Sequence, residues 1–369
     1  MNLELTDEQL ALRETVGRFL SEKAAVSTHV RELLDDPVGT TVEVWKGLTE
    51  LGVAGLLVTA SHGGAGATMT EAGIVAERLG AVVNPGPWLS TAVAAPRALL
   101  RTGAGAEAAD LLQGIADGST LATVGPLHGG RPRAARSGAQ FRIRGTIEAL
   151  PDAAAADVLL ILAEHGGGVG LFAVEAAHIR VTARAHVDQT RKLFDVVLDD
   201  APARHLAPAT ADAVGAVVDD VLIAYAADAL GAADAVMRLA VDYAKVRKQF
   251  GKPIGSFQAV QHLCVDMFET VELARSGVMH ALWAADTADP AERHLAALRA
   301  KAFAGRLAAV GDTAIQVFGG IGFTWEHDAH LYLKRLLGFS AMLGGTDWYL
   351  EEVGRSVVAR AGGRERVKL

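Results

Sequence analysis

Four long stretches rich in alanine, valine and leucine, at 210–246, 256–287, 291–317 and 345–362, constrain this 369-residue chain more than any other feature. Each has an apolar face on a helical period and must bury it, so their succession predicts a four-helix bundle. Half of all residues are hydrophobic, enough for a large core without disulfides or metals. Alanine dominates that half and aromatics are only 5%, which favours close-packed helices over a β-sandwich.

The chain before residue 207 has two characters. Thr6 is positioned to cap a helix, with Asp7 and Glu8 in its first turn and Gln9 at the capping-box position. A second helix ends at Leu51-Gly52, a third spans Thr70 to Leu79-Gly80, and 91–115 reads as two short helices. Near 118 the pattern becomes β-like. The candidate strands are Leu121–Val124, Gln140–Gly145, Asp157–Leu162, Gly170–Val174, Ile179–Thr182 and Leu193–Leu198, with a hairpin turn at Gly166-Gly167-Gly168. The expected fold class is α+β in three parts: a helical domain at 1–117, a small β domain at 118–206 and a helical bundle at 207–369. The stretch from Gly362 to Leu369 reads as a frayed polar tail.

Several function classes are excluded. Net charge is −8 and no Lys/Arg run rises above the background, so nucleic acid is not an expected partner. The longest candidate for a membrane span, around Val217 to Val236, carries Asp219, Asp220, Asp228 and Asp234. The N-terminus is acidic and lacks the apolar run of a signal peptide. A single cysteine, Cys264, excludes a disulfide framework; it reads as core in a reducing, cytoplasmic setting. His327 and His330 lack a further ligand set, so no metal is expected.

One polar string interrupts the apolar helices: Arg247-Lys248-Gln249-Phe250-Gly251-Lys252-Pro253-Ile254-Gly255-Ser256-Phe257-Gln258. Its guanidinium is a planar fork for phosphate, its phenyl rings offer faces for a base, and its glycines admit close backbone approach. By itself the string is equally a polar corner between helices.

With Gln261-His262, Asp266-Met267 and Gln316-Val317-Phe318-Gly319-Gly320-Ile321-Gly322-Phe323, the string resembles the acyl-CoA dehydrogenase family. Upstream, Leu5-Thr6-Asp7-Glu8-Gln9, Gly63-Gly64-Ala65-Gly66 and Glu77-Arg78-Leu79-Gly80 are similar too, so the resemblance covers nearly the whole chain. It implies a β-barrel-like middle domain, FAD at a dimer interface within a tetramer, an acyl-CoA thioester substrate and an electron-transferring flavoprotein as acceptor. Arg247, Gln249 and Phe250 match positions that hold the FAD pyrophosphate and adenine from the neighbouring subunit, and Gln258 lies in the matching helix start. Gln316, Gly319 and Gly320 match the loop receiving the adenosine half. At the flavin end the family's Thr-Glu-Pro-type strand reads Ala122-Thr123-Val124-Gly125-Pro126, so Thr123 keeps a hydroxyl while the acid is missing. The second flavin-contacting strand, Glu148-Ala149-Leu150-Pro151, has neither the Trp nor the hydroxyl.

The larger departure concerns the base. The family's Glu falls at Gly344 or at Leu343, depending on the alignment, and the alternative position on an earlier helix falls at Val221. Asp347, and less so Glu351, are the remaining acids nearby. Asp188-Gln189-Thr190-Arg191 reads either as an approach of Arg191 to the flavin or thioester, or as a surface Asp–Arg turn. The resemblance therefore implies a dehydrogenase subunit without its own base, in a heterotetramer with a base-bearing, acyl-CoA dehydrogenase-like chain. The alternatives are an active homotetramer using Asp347, and a non-catalytic paralogue that binds acyl-CoA or FAD.

Overall fold

The computed structural model describes residues 4–138 and 140–365. Met1–Leu3 and the end of the tail, 366–369, lie outside them. Helices α1 (Asp7–Lys23), α2 (Val42–Glu50), α3 (Met69–Ala81), α4 (Ala95–Thr102) and α5 (Ala109–Ala116) precede the sheet. Thr6 closes a full capping box with Gln9, and Thr68 does the same with Glu71 at the start of α3.

Strands β1 (Ala122–Gly125), β2 (Arg133–Ser137), β3 (Gln140–Pro151), β4 (Val158–His165), β5 (Gly168–Glu175), β6 (Arg180–Ala183) and β7 (Leu193–Pro208) form one sheet. Its path runs β1-β4-β2-β3-β7-β5, and β5 pairs back onto β4, so five strands close into a small barrel with β1 and β6 appended. Closure leaves few free edges. The β4–β5 turn is a two-residue loop, Gly166-Gly167, with φ of +58° and +85°, the left-handed pair that suits a right-twisted hairpin. The barrel has its own core, including Ile143, Leu159, Ile161, Phe172 and Val196.

Helix α6 (Ala211–Val246) then crosses the whole molecule. A short hairpin, β8 (Lys248–Gln249) and β9 (Lys252–Pro253), leads into α7 (Gln258–Thr287), α8 (Pro290–Ala304), α9 (Leu307–Phe318), α10 (Ala329–Ala341) and α11 (Thr346–Glu365). The apolar stretch 291–317 is thus two helices, a correction to the single one expected. At their junction a Cβ on Gly305 would lie 2.2 Å from Thr346 Oγ1, so close approach of α11 demands glycine there. Helix α11 also continues through Gly362 and Gly363, where a frayed tail was expected.

Helix α6 is the hub, packing against α3, α7, α8, α9 and α10. Its crossing with α3 is unusually close. A Cβ on Gly231 would stand 1.9 Å from the Glu77 carbonyl oxygen, and one on Gly80 would stand 1.9 Å from that of Asp228. Two glycines facing each other's backbone let the helices touch without intervening side chains.

Candidate functional site

A cavity of about 360 Å³ opens where the barrel meets α6 and α10. Register shifts between Ile143/Gly145 and Ile147/Leu150 put bulges into β3, and the second turns Glu148–Asp152 toward the cavity. From α6 come Val221, Tyr225 and Asp228, spaced four and then three residues apart on one helix face. From α10 come Arg335 and Phe339, and from the turn after it Met342 and Leu343. Ala149, Asp152 and Leu343 all line the cavity with positive φ, at +53°, +54° and +55°. Non-glycine residues in that region store strain and concentrate at functional sites.

One end of the cavity is a buried ionic network. Arg335, 1% exposed, donates to both Asp228 carboxylate oxygens at 3.1 Å and to Thr190 Oγ1 at 2.9 Å, and pairs with Asp188 at 3.2 Å. Arg191 reaches Asp228 at 2.7 Å and lies 4.9 Å over the Tyr225 ring. Burial opposes the Arg191 charge most strongly of any single cause, but Asp228, Asp188 and Asp152, with Tyr225, together outweigh it and the pKa is raised. Asp188 is 1% exposed, so the surface-turn reading of Asp188–Arg191 is corrected: both side chains turn inward. Asp152, also buried, accepts a 2.5 Å hydrogen bond from Ser90, and burial pushes its carboxyl up to about 6.

The other end is aliphatic, and it contains the positions expected for a base. Leu343 and Val221 line the cavity; Gly344 is not among its lining residues. Gly344 has φ +117°, a conformation hostile to any side chain, so Leu343 is the better placed of the two alternatives. Asp347 is exposed and outside the lining, and Glu351 is salt-bridged to Arg355. Neither meets the geometric requirement for a base. Thr123 is 1% exposed and spends its hydroxyl on the Pro151 carbonyl at 2.7 Å, so it is not presented to the cavity.

The polar string lies at the opposite end of α6. Phe250-Gly251 form a two-residue hairpin loop with φ of +53° and +79°, which holds the Phe250 ring 93% exposed. Arg247, Gln249 and Gln258 are exposed, and among the described residues no carboxylate pairs with the Arg247 guanidinium. Gln316, Gly319 and Gly320 are exposed on the neighbouring turn, and Tyr243 touches Phe318 at 5.1 Å between ring centroids, bringing the two segments together. Gly319 has φ +66° and ψ −145°, open to glycine alone, and a Cβ on Gly320 would meet nothing. An unpaired cation, an exposed ring and approachable backbone fit the ADP half of a dinucleotide. The strand expected to contact the flavin offers less, since Ala149 and Leu150 bring no side-chain donor.

Elsewhere, His327 packs tilted against Phe318 and His330 meets Trp325 edge to face, and no three candidate metal ligands converge among the described residues. Cys264 is half-buried against the helical core, and burial raises its thiol pKa. No helix among the described residues is long and apolar enough to cross a membrane. Sequence reasoning missed Tyr225, and Asp228 was noticed only as a charge. Their spacing from Val221 on one helix face was the available signal.

Two family models match, the acyl-CoA dehydrogenase N-terminal domain over residues 6–119 and the C-terminal domain over 223–361. The chain is 32% identical to the acyl-CoA dehydrogenase IpdE2 of Mycolicibacterium smegmatis over 92% of this chain and 96% of the relative. It is 34% identical to acyl-CoA dehydrogenase FadE34 of Mycobacterium tuberculosis over 98% of this chain, and spans about half, 49%, of that longer relative. Among solved structures, a Tcur3481-Tcur3483 steroid ACAD variant superimposes with a TM-score of 0.86 at 29% identity, over 96% of this chain and 99% of the other. Matched in sequence over 92% of its length and in fold over 96%, the chain belongs to the acyl-CoA dehydrogenases, FAD-dependent oxidoreductases that act on acyl-CoA thioesters.

Proposed function

We propose that this chain is a subunit of an acyl-CoA dehydrogenase that desaturates an acyl thioester between Cα and Cβ, and that a base-bearing, dehydrogenase-like chain completes it. What carries this is the pair of aliphatic side chains, Leu343 and Val221, that line the cavity at positions the resemblance aligns with the family's carboxylate. The acids that do reach the cavity are engaged: Asp228 with Arg191 and Arg335, Asp188 with Arg335 and Thr190, Asp152 with Ser90. Glu148 is held by Arg184 at 3.0 Å. A positioned general base contributes roughly 10²–10⁴-fold, so the chain alone is slow or silent.

FAD, when bound, supplies the hydride acceptor. Arg247 and Gln249 would hold its pyrophosphate, Phe250 would stack on adenine, and Gly319-Gly320 with Gln316 would admit the adenosine half. Gln258 borders that grip at the start of α7. The exposure of all these groups supports a cofactor shared with a neighbouring chain, since a site within one chain would shelter them. The half-length match to FadE34, which leaves room for a second unit of the same size, supports pairing, as does the likeness to a structure carrying two protein designations, Tcur3481-Tcur3483. We assign the complex a tetrameric assembly and an electron-transferring flavoprotein as acceptor.

Co-purification with the products of neighbouring genes, followed by FAD stoichiometry, tests this reading. One FAD per pair of unlike chains supports it. A yellow homotetramer that reduces its own flavin with an acyl-CoA overturns it.

A further inference from the structure

Tyr225 is 8% exposed and lines the cavity, and its hydroxyl has no hydrogen-bond partner among the described residues. The other two buried tyrosines behave differently, since Tyr332 donates to the Ala81 carbonyl and Tyr349 to that of Leu343. Its oxygen is open to the cavity, so a ligand that displaces water from it must supply an acceptor or leave the donor unpaired. The ring is held in place. The Arg191 guanidinium covers one face at 4.9 Å, and Asp228, which anchors Arg191 at 2.7 Å, is itself fixed by Arg335. Burial, with Asp152 adding to it against the pull of Arg191, pushes the phenol up to about 12, so the group stays protonated and donates. The wall beside it is aliphatic: Val221 lies one turn earlier on the same face of α6, and Met342 and Leu343 come from the turn after α10. A plain hydrocarbon ligand would leave the donor unpaired, whereas an oxygen would satisfy it.

We propose that Tyr225 makes this cavity selective, donating a hydrogen bond to a hydroxyl or carbonyl oxygen carried on the acyl group of its thioester ligand. The inference rests on the reading of the cavity as an acyl-CoA site, and it holds whether or not turnover occurs there.

The test is a calorimetric titration of the full chain, with the cofactor and companion it purifies with. The probes are ω-hydroxyoctanoyl-CoA against octanoyl-CoA, and the corresponding hexanoyl and decanoyl pairs to vary the reach. At least one hydroxylated member should bind roughly three- to tenfold tighter than its plain partner, and Tyr225→Phe in this chain should abolish that preference. Because the hydroxyl has no hydrogen-bond partner among the described residues, the variant should melt at or above the wild-type temperature, which keeps the comparison clean. Equal binding within every pair, or an unchanged preference in Tyr225→Phe, overturns the selectivity while leaving the acyl-CoA site intact. Failure of every acyl-CoA to bind overturns the reading under Proposed function and this inference together.

Discussion

The Tyr349 hydroxyl donates a 2.8 Å hydrogen bond to the carbonyl of Leu343, six residues earlier. That bond closes the turn between α10 and α11 and holds Leu343 at φ +55° against the cavity. Tyr349 is 2% exposed, and burial pushes its phenol up to about 12, so the donor persists at any physiological pH.

Tyr349→Phe keeps the ring, and with it the packing against Lys301, but deletes the donor. Chemical denaturation should show a loss of about 0.5–1.5 kcal/mol, the ordinary worth of one such bond. No loss of stability would mean that the turn is held by packing alone.

Leu343→Glu places a carboxylate in the aliphatic end of the cavity, where burial will raise its pKa toward neutrality. If the missing base is what silences the chain, acyl-CoA-dependent flavin reduction by the FAD-loaded protein without its partner should rise by roughly 10²–10⁴-fold. Gly344→Glu should give no such gain, because φ +117° rejects a side chain. Stopped-flow flavin absorbance measures both. An unchanged Leu343→Glu rate would point to a deficit elsewhere in the site.

Lys301 is fully buried and donates to the carbonyls of Phe339 and Ser340 at the end of α10. Burial lowers its pKa from 10.5 to about 7. Between these values the unfolded chain binds the proton that the folded chain has released, so stability rises with pH across that window. The penalty for the buried charge is fully present below pH 7 and is relieved by pH 10, amounting to roughly a few kcal/mol at most. Melting curves from pH 6 to 10 should show this slope, and Lys301→Met should flatten it.

Gly231 and Gly215 lie on the same helix and predict opposite outcomes. Gly231→Ala drives a Cβ to 1.9 Å from the Glu77 carbonyl oxygen and should cost roughly 1–3 kcal/mol or more. Gly215→Ala meets nothing within 4 Å and should stabilise the helix by roughly 0.5–1 kcal/mol. Urea midpoints of the two variants check the close crossing of α3 and α6.

The amino-acid sequence by itself determined what depends on neighbours along the chain. Capping at Thr6, the glycine hairpin at Gly166-Gly167, the order of helices and strands, and the Arg247–Gln258 corner are local matters of periodicity, side-chain reach and allowed φ. Only the tertiary structure decided which residues meet. It paired β2 with β4 and β5 with β7 and so closed the barrel, turned Asp188 and Arg191 inward to Asp228 and Arg335, withdrew Thr123 from the cavity, and placed Leu343 there where Gly344 could not go. It also revealed Tyr225 as a donor without a partner among the described residues. Those outcomes rest on contacts between elements far apart in the chain, and on two glycines that let α3 and α6 touch. Periodicity shows which face of a helix is buried; packing alone decides what it is buried against.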